Sequence, residues 1–169
     1  MLPIAGDIES IVYGLILGGG GGGARVKKVQ RGTTDLSGTS VDITISAVEL
    51  TRTIVLIQWT TGAFSKAASF HVGAALTAST TLRLQRYSSG TTCTVTWEVI
   101  EFAEGVTVQH LSTSPSGNTA TVTISPVDID RSFVICTYRQ TENDYFSDLG
   151  AAVGTRAKAA LTAPDTVTL

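Results

Sequence analysis

The sequence predicts an all-β protein built of short antiparallel strands, and three observations support this. β-branched residues dominate the composition, with 26 Thr, 16 Val and 12 Ile among 169 residues, and such residues favour strands. Apolar and polar residues alternate over short segments, which is the period of a half-buried strand. Seventeen glycines, with Pro and a few Asp and Asn, provide turn residues between these segments.

The alternation predicts five strands before residue 103. They cover residues 41–45, 53–60, 69–76, 80–87 and 92–102. The last strand is the longest, and one of its faces carries Cys93, Val95, Trp97 and Val99. Residues 151–161 are rich in alanine, but they align with an earlier strand and are therefore predicted to be a loop followed by a strand.

An internal repeat accounts for this pattern. Residues 29–59 align without a gap with residues 108–138, and residues 74–84 align with residues 159–169 after a six-residue insertion in the second copy. The sequence therefore predicts two tandem small antiparallel β-sandwich repeats. The second copy has no counterpart of residues 85–102, the segment that carries the tryptophan-bearing strand of the first copy.

The sequence leaves three explanations open for the incomplete second copy. Repeat 1 is assigned to residues 25–105 and repeat 2 to residues 106–169. A sandwich that lacks one strand would expose unpaired backbone groups, so the missing strand needs an explanation. The chain continues beyond the given sequence, a strand from another subunit adds to the sheet by β-augmentation, or repeat 2 closes with fewer strands. The first explanation is favoured over the second.

Residues 1–24 are predicted to be an apolar anchoring arm followed by a glycine linker. The uncharged apolar run at residues 11–17 is much shorter than the roughly 20 residues that span a bilayer. A secretory signal has Lys or Arg before its apolar run, and none precedes this one. Six consecutive glycines, residues 18–23, predict a hinge. The arm is expected to dock on a neighbouring subunit. Its apolar residues are Ile4, Ile8, Ile11, Val12, Leu15, Ile16 and Leu17.

Several motifs resemble a repeat found in structural proteins of tailed bacteriophages. They are V-x-R-G-x-x-x-L-S-G-T at residues 29–39, the alternating Thr/Ile segment at residues 43–48, the hairpin at residues 75–86 and W-E-V-I-E-F at residues 97–102. The resemblance covers roughly residues 29–169. It implies a virion component, in the head decoration, collar or neck, tail or fibre, and not a catalytic activity.

The partners expected from this interpretation are other virion proteins and copies of the chain itself. A homotrimer or higher oligomer is expected, because symmetric copies can cover an apolar arm between them. The formal net charge is −2 and 15% of the residues are charged. Binding to nucleic acid through bulk electrostatics is therefore not expected, and neither is a membrane partner.

The residues that usually carry chemistry are scarce and scattered, so no enzyme and no cofactor are predicted. Cys93 and Cys136 are predicted to be buried apolar thiols that form no disulfide. His71 and His110 lack metal-ligand spacing. The weak candidates for a hard cation are the acidic residues of the insertion, Glu142, Asp144 and Asp148.

The alternative function is a host-receptor or glycan-binding module of a phage fibre. Exposed aromatic residues would contact the glycan, and the candidates are Tyr87, Tyr145 and Phe146. Packing in a core or at its rim explains the same residues equally well. A hydrolase is the least supported hypothesis, because no set of acid, base and nucleophile can be assembled from the sequence.

Overall fold

The computed structural model describes residues 8–17, 25–61, 71–113, 119–140 and 158–169. These ranges contain twelve strands and no α-helix, which confirms the prediction of an all-β fold. The strands are β1 (Ile8–Leu17), β2 (Val26–Leu36), β3 (Ser40–Thr44), β4 (Thr53–Thr61), β5 (Gly73–Ala78), β6 (Thr81–Gln85), β7 (Cys93–Phe102), β8 (Val106–Thr113), β9 (Thr121–Thr123), β10 (Ser132–Gln140), β11 (Ala160–Ala163) and β12 (Thr166–Thr168).

The strands form four three-stranded sheets in which every pairing is antiparallel. The first half of the chain supplies the sheets β2-β7-β4 and β3-β6-β5. The other two sheets are β8-β1-β10 and β9-β12-β11. Short 3₁₀ helices, Leu50–Arg52 and Ile129–Arg131, precede β4 and β10.

Alternation along β7 explains why this segment is a central strand. Cys93, Val95, Trp97 and Val99 are buried on one face, as the sequence predicts, and Thr94 and Thr96 between them are exposed. This face packs with Leu36, Val55, Leu82 and Leu84, which are at most 1% exposed. The burial of these aliphatic side chains supplies the main stabilisation of the first half.

The core of the second half is smaller. Its buried residues are Ile124 and Val167, and partly buried side chains, including Leu111 and Cys136, pack around them. Val106 and Val108 of β8 belong to the larger core with the residues of the first half. The two halves therefore share apolar packing at β8.

The two halves repeat the same hydrogen bonds. The Gln30 side chain donates to the Ser46 carbonyl at 2.8 Å and accepts from the Ser46 N–H at 2.6 Å. Gln109 makes the same pair of bonds with Ser125, at 2.9 Å and 2.8 Å. Because a side-chain fork onto a backbone residue requires a fixed distance between two segments, the second half reproduces this geometry of the first.

The predicted strand positions agree with the structure at residues 41–45, 53–60 and 92–102, within a residue or two at each end. The strand predicted at residues 69–76 is observed from Gly73 onwards, and residues 62–70 lie outside the described residues. For the alanine-rich segment, β11 starts at Ala160, and residues 151–157 lie outside the described residues.

Candidate assembly site

The N-terminal strand β1 lies in the centre of the second half of the chain. It pairs with β10 from Ile8–Gln140 to Ile16–Ser132, and with β8 from Ser10–Thr113 to Leu17–Val106. Among the described strands, β8 and β10 do not pair with each other, so β1 alone joins them into one sheet. A strand with partners on both sides has all its backbone groups available for ladder hydrogen bonds.

The register of β1 is that of β7. Trp97 lies opposite Gly32 and Ile57, and Val12 lies opposite Leu111 and Cys136. Leu111 and Cys136 are the residues that the sequence repeat aligns with Gly32 and Ile57. β1 therefore occupies in the second half the position that β7 occupies in the first.

This arrangement differs from the three explanations that the sequence suggested for the incomplete second copy. The missing strand is supplied by the same chain, from its other end. Strand pairing depends on register and facing side chains and not on the order of the strands along the chain, so a distant segment can fill the position. Alignment of the two copies compared only segments in the same order and therefore missed it.

The structure places most of the predicted arm residues in β1. Ile8, Ile11, Val12, Leu15, Ile16 and Leu17 are in this strand, and Ile4 lies outside the described residues. The sequence analysis expected the arm to dock on a neighbouring subunit, whereas here the arm pairs with its own chain. No local pattern of the sequence identifies this position, because pairing between distant segments leaves no period along either of them.

Polar contacts join the two halves beside this sheet. Nε2 of His110 on β8 donates to the Leu50 carbonyl at 2.8 Å, and burial lowers the pKa of His110 even though hydrogen bonds to the Leu50 and Thr53 backbone oppose the shift. On the opposite edge, the Thr137 hydroxyl accepts from the Ala74 N–H at 3.3 Å. His110 is thus a structural side chain at the junction between the two halves.

An open groove of about 290 Å³ separates the edge strands β4 and β10. Residues 55–59 line one side and residues 135–138 line the other. Close to it, the rings of His71 and Tyr138 lie 4.7 Å apart at their centroids. His71 therefore packs on an aromatic ring of the second half, as a structural role for it requires.

The other predicted site residues have the following positions. Cys93 is buried, and its pKa is raised by burial although the Arg86 charge and hydrogen bond oppose the shift. Cys136 is a half-buried thiol. Within the described ranges no group of three His, Cys, Asp or Glu could hold a metal ion. Glu142, Asp144 and Asp148 lie outside those ranges, as do Tyr145 and Phe146.

A buried arginine that the sequence pattern did not indicate closes one end of the first half. Arg86 is 1% exposed, and its guanidinium donates to the carbonyls of Ser37, Gly38 and Thr91 at 2.8–2.9 Å. A planar group with five donors can bind several carbonyls at once. Arg86 thereby ties the β2–β3 turn to the loop before β7, and no periodic pattern in the sequence indicates this role.

Comparison with protein-family models, with curated proteins and with solved structures found no match to this chain. Among the described residues no helix has the length and apolar character needed to cross a membrane.

Proposed function

We propose that this chain is a non-enzymatic structural protein of a bacteriophage particle, made of two β-sandwich repeats. The supporting observation is the common plan of the two halves, whose strand pairings and Gln–Ser hydrogen bonds correspond and whose second half is completed by β1. The resemblance of residues 29–39 and 97–102 to a repeat in phage structural proteins supports the particle as its location.

Rigid β-sandwich modules suit a structural role. Their stability comes from apolar burial and paired backbone groups, so that no ligand is needed to hold them in shape. In this proposal residues 1–24 are the assembly arm and its glycine hinge, and the partners are other virion proteins and further copies of the chain. The protein occupies the head decoration, the collar or neck, or the tail or fibre, and it contacts neither nucleic acid nor membrane.

Purified particles of the phage that encodes this chain test the proposal. Mass spectrometry is expected to find the chain at a fixed ratio to the major capsid protein, and electron cryomicroscopy of particles with a tagged copy is expected to place the tag at one symmetric location. Detection of the chain only in the soluble fraction of the lysate, with none in purified particles, would contradict the proposal.

A receptor-binding role is the second candidate, and one observation favours it. Tyr87 is 39% exposed, although it directly follows the buried Arg86. An exposed aromatic ring is suited to stacking on a sugar face. Binding of the full chain to host cells or to a glycan array, weakened at least tenfold by Tyr87→Ala, would support this role, and equal binding by the variant would count against it.

A further inference from the structure

We infer that the position between β8 and β10 accepts β1 from a second copy of the chain, so that copies join head to tail by exchange of their N-terminal strands. The inference deepens the proposed function, because it names the partner and the contact through which copies of the chain assemble. The strand that enters this position is Ile8–Leu17 of another copy.

The position between β8 and β10 is incomplete without β1. β8 and β10 each use one edge to pair with β1, and neither pairs with the other among the described strands. Loss of β1 would leave two open edges facing each other across the width of one strand. Such edges pair readily with an added strand, and β1 from any copy carries the same sequence and the same register.

The connections between strands follow the same order in both halves. β7 completes the first half and leads, through Ala103, Glu104 and Gly105, into β8, which begins the second half. β1 completes a second half and leads, through residues 18–25, into β2, which begins a first half. Both connections thus run from the completing strand of one half to the first strand of another half.

This order of strands allows β1 to pair in two ways, within its own chain or with a neighbouring copy. When β1 pairs within its own chain, the result is a closed monomer with two complete halves. When β1 pairs with a neighbour, the succession of halves continues from chain to chain, each copy giving one strand and receiving one. Such a heterologous contact produces rings if the rotation closes and filaments if it does not. The strand pairs are identical in both cases, so pairing energy does not distinguish them.

The connection is long enough for either closure. Leu17 lies opposite Val106, and Val26 lies opposite Phe102. Because opposed Cα atoms are about 5 Å apart and four peptide steps separate Phe102 from Val106, Leu17 and Val26 are at most about 25 Å apart within one chain. The nine peptide steps from Leu17 to Val26 span about 30 Å when fully extended. β1 can therefore also reach the vacant position of a neighbouring copy that lies about 25 Å from Val26.

Concentration decides which closure prevails. Short glycine-rich linkers give a tethered segment an effective concentration in the millimolar range. Pairing within the chain therefore dominates in dilute solution. Exchange becomes favourable where copies are held side by side at comparable local concentration, as they would be in an assembling particle.

Engineered disulfides in the full chain distinguish the two closures. Ile11 lies opposite Ser112, so the double variant Ile11→Cys with Ser112→Cys is expected to give a cross-linked monomer when it folds in dilute solution. After unfolding and refolding near millimolar concentration, non-reducing gels should show a ladder of covalent dimers, trimers and longer chains. Peptide mapping should assign each link to positions 11 and 112.

A matched control lies at the corresponding place in the first half. Thr33 lies opposite Thr96, and both are exposed. The variant Thr33→Cys with Thr96→Cys is expected to give only the cross-linked monomer at every concentration, because β7 follows β6 of its own half in the chain and has no free terminus to exchange. Cys93 and Cys136 are present in both variants, so any contribution from them is the same.

The inference is overturned if Ile11→Cys with Ser112→Cys gives only cross-linked monomer at every concentration. If that pair impairs folding, Ser10→Cys with Thr113→Cys, the adjacent pair in the same register, replaces it. As confirmation, two single variants refolded together should yield a heterodimer linked between them. The test needs no particle, so failure of exchange and absence of the chain from particles are separate results.

Discussion

Gly32 and Trp97 lie opposite each other in the sheet β2-β7-β4, and the indole ring fills the space that a side chain at Gly32 would need. A Cβ at position 32 would lie 2.5 Å from Cζ2 of Trp97 and 2.9 Å from Cε2. Trp97 is only 9% exposed, and its Nε1 donates to the Thr34 hydroxyl at 3.1 Å. The ring therefore has little freedom to move away.

Gly32→Ala is expected to lower the free energy of unfolding by about 1–3 kcal/mol, the usual cost of overpacking a core. Gly38→Ala is the matched control, since the nearest atom to its added Cβ is 3.9 Å away. Urea unfolding, followed by Trp fluorescence and circular dichroism, measures both variants. Equal stabilities for the two variants would show that the ring yields without cost.

The second half suggests a double substitution in which a larger residue at position 32 fills the space that a smaller residue at position 97 leaves. At the corresponding register, Leu111 lies opposite Val12, so the sequence has leucine and valine where the first half has glycine and tryptophan. Trp97→Val alone should cost about 3–5 kcal/mol through the cavity it leaves. Gly32→Leu with Trp97→Val is expected to be more stable than the sum of the single effects predicts, and a double-mutant cycle with no coupling would contradict this.

Proline in a completing strand should separate the contributions of the two halves. A central strand donates each N–H to one neighbour or the other, so proline removes one ladder bond and disrupts the pairing. Ile11→Pro is expected to accelerate hydrogen exchange of the β8 and β10 amides and to leave β2, β4 and β7 protected. Full protection of β8 and β10 in this variant would mean that β1 is not required there.

The matched substitution in the first half is Thr96→Pro, at the position of β7 that corresponds to Ile11. Its effect should extend further. Because Val106 and Val108 of β8 pack in the core of the first half, loss of that core should also remove protection from β8. An effect of Thr96→Pro confined to β2, β4 and β7 would show that the halves unfold independently.

A buried carboxylate distinguishes the first half from the second. Glu101 is 3% exposed, accepts from Lys27 Nζ at 2.8 Å and accepts from the Glu49 N–H at 3.2 Å. Burial alone would raise the pKa of Glu101, but the hydrogen bonds from Lys27 and Glu49, with the charges of Lys27 and Lys28, outweigh burial and hold that pKa below its usual value.

Lys27→Met is expected to destabilise the protein by about 1–2 kcal/mol, since it leaves Glu101 buried without its cation, while the exposure of Lys27 limits the loss. The lowered pKa of Glu101 means that this stabilisation is present above the unfolded-state pKa and is lost as the pH falls through the folded-state pKa. Glu101→Gln should flatten the dependence of unfolding free energy on pH below about pH 4.5. An unchanged slope would contradict the assignment.

The positions corresponding to Lys27 and Glu101 in the second half are Val106 and Ile16. Removing Glu101 together with Lys27 leaves no buried carboxylate without its cation, which is the cost that Lys27→Met incurs. Lys27→Val with Glu101→Ile is therefore expected to recover most of the stability that Lys27→Met loses. A double variant less stable than Lys27→Met would show that the Glu49 N–H depends on the carboxylate.

Sequence patterns predicted the strands of the first half because burial and exposure alternate along them, as in β7. They also revealed that the second half lacks one strand. They did not predict that β1 fills its place, because the choice of a pairing partner depends on contacts between distant segments, and those contacts leave no local period. Arg86 was missed for a similar reason, since its acceptors are backbone carbonyls whose positions only the folded turns define.

His110 provides a pH-dependent test of the junction between the two halves. Burial lowers its pKa in the folded state, and its Nε2 donates to the Leu50 carbonyl. Because the folded-state pKa is below the unfolded-state value of 6.5, the folded protein resists protonation that the unfolded chain accepts. Stability should therefore be complete above that value and decrease as the pH falls below it.

His110→Gln should remove this dependence, since glutamine does not titrate and keeps an N–H donor for the Leu50 carbonyl. Unfolding free energies of the parent chain and the variant, measured from pH 7.5 to pH 5, should converge as the pH falls. NMR titration should give His110 a pKa below that of a histidine in a denatured chain. Parallel stability curves for the two proteins would mean that His110 titrates normally, and the junction would then have no part in the response to acid.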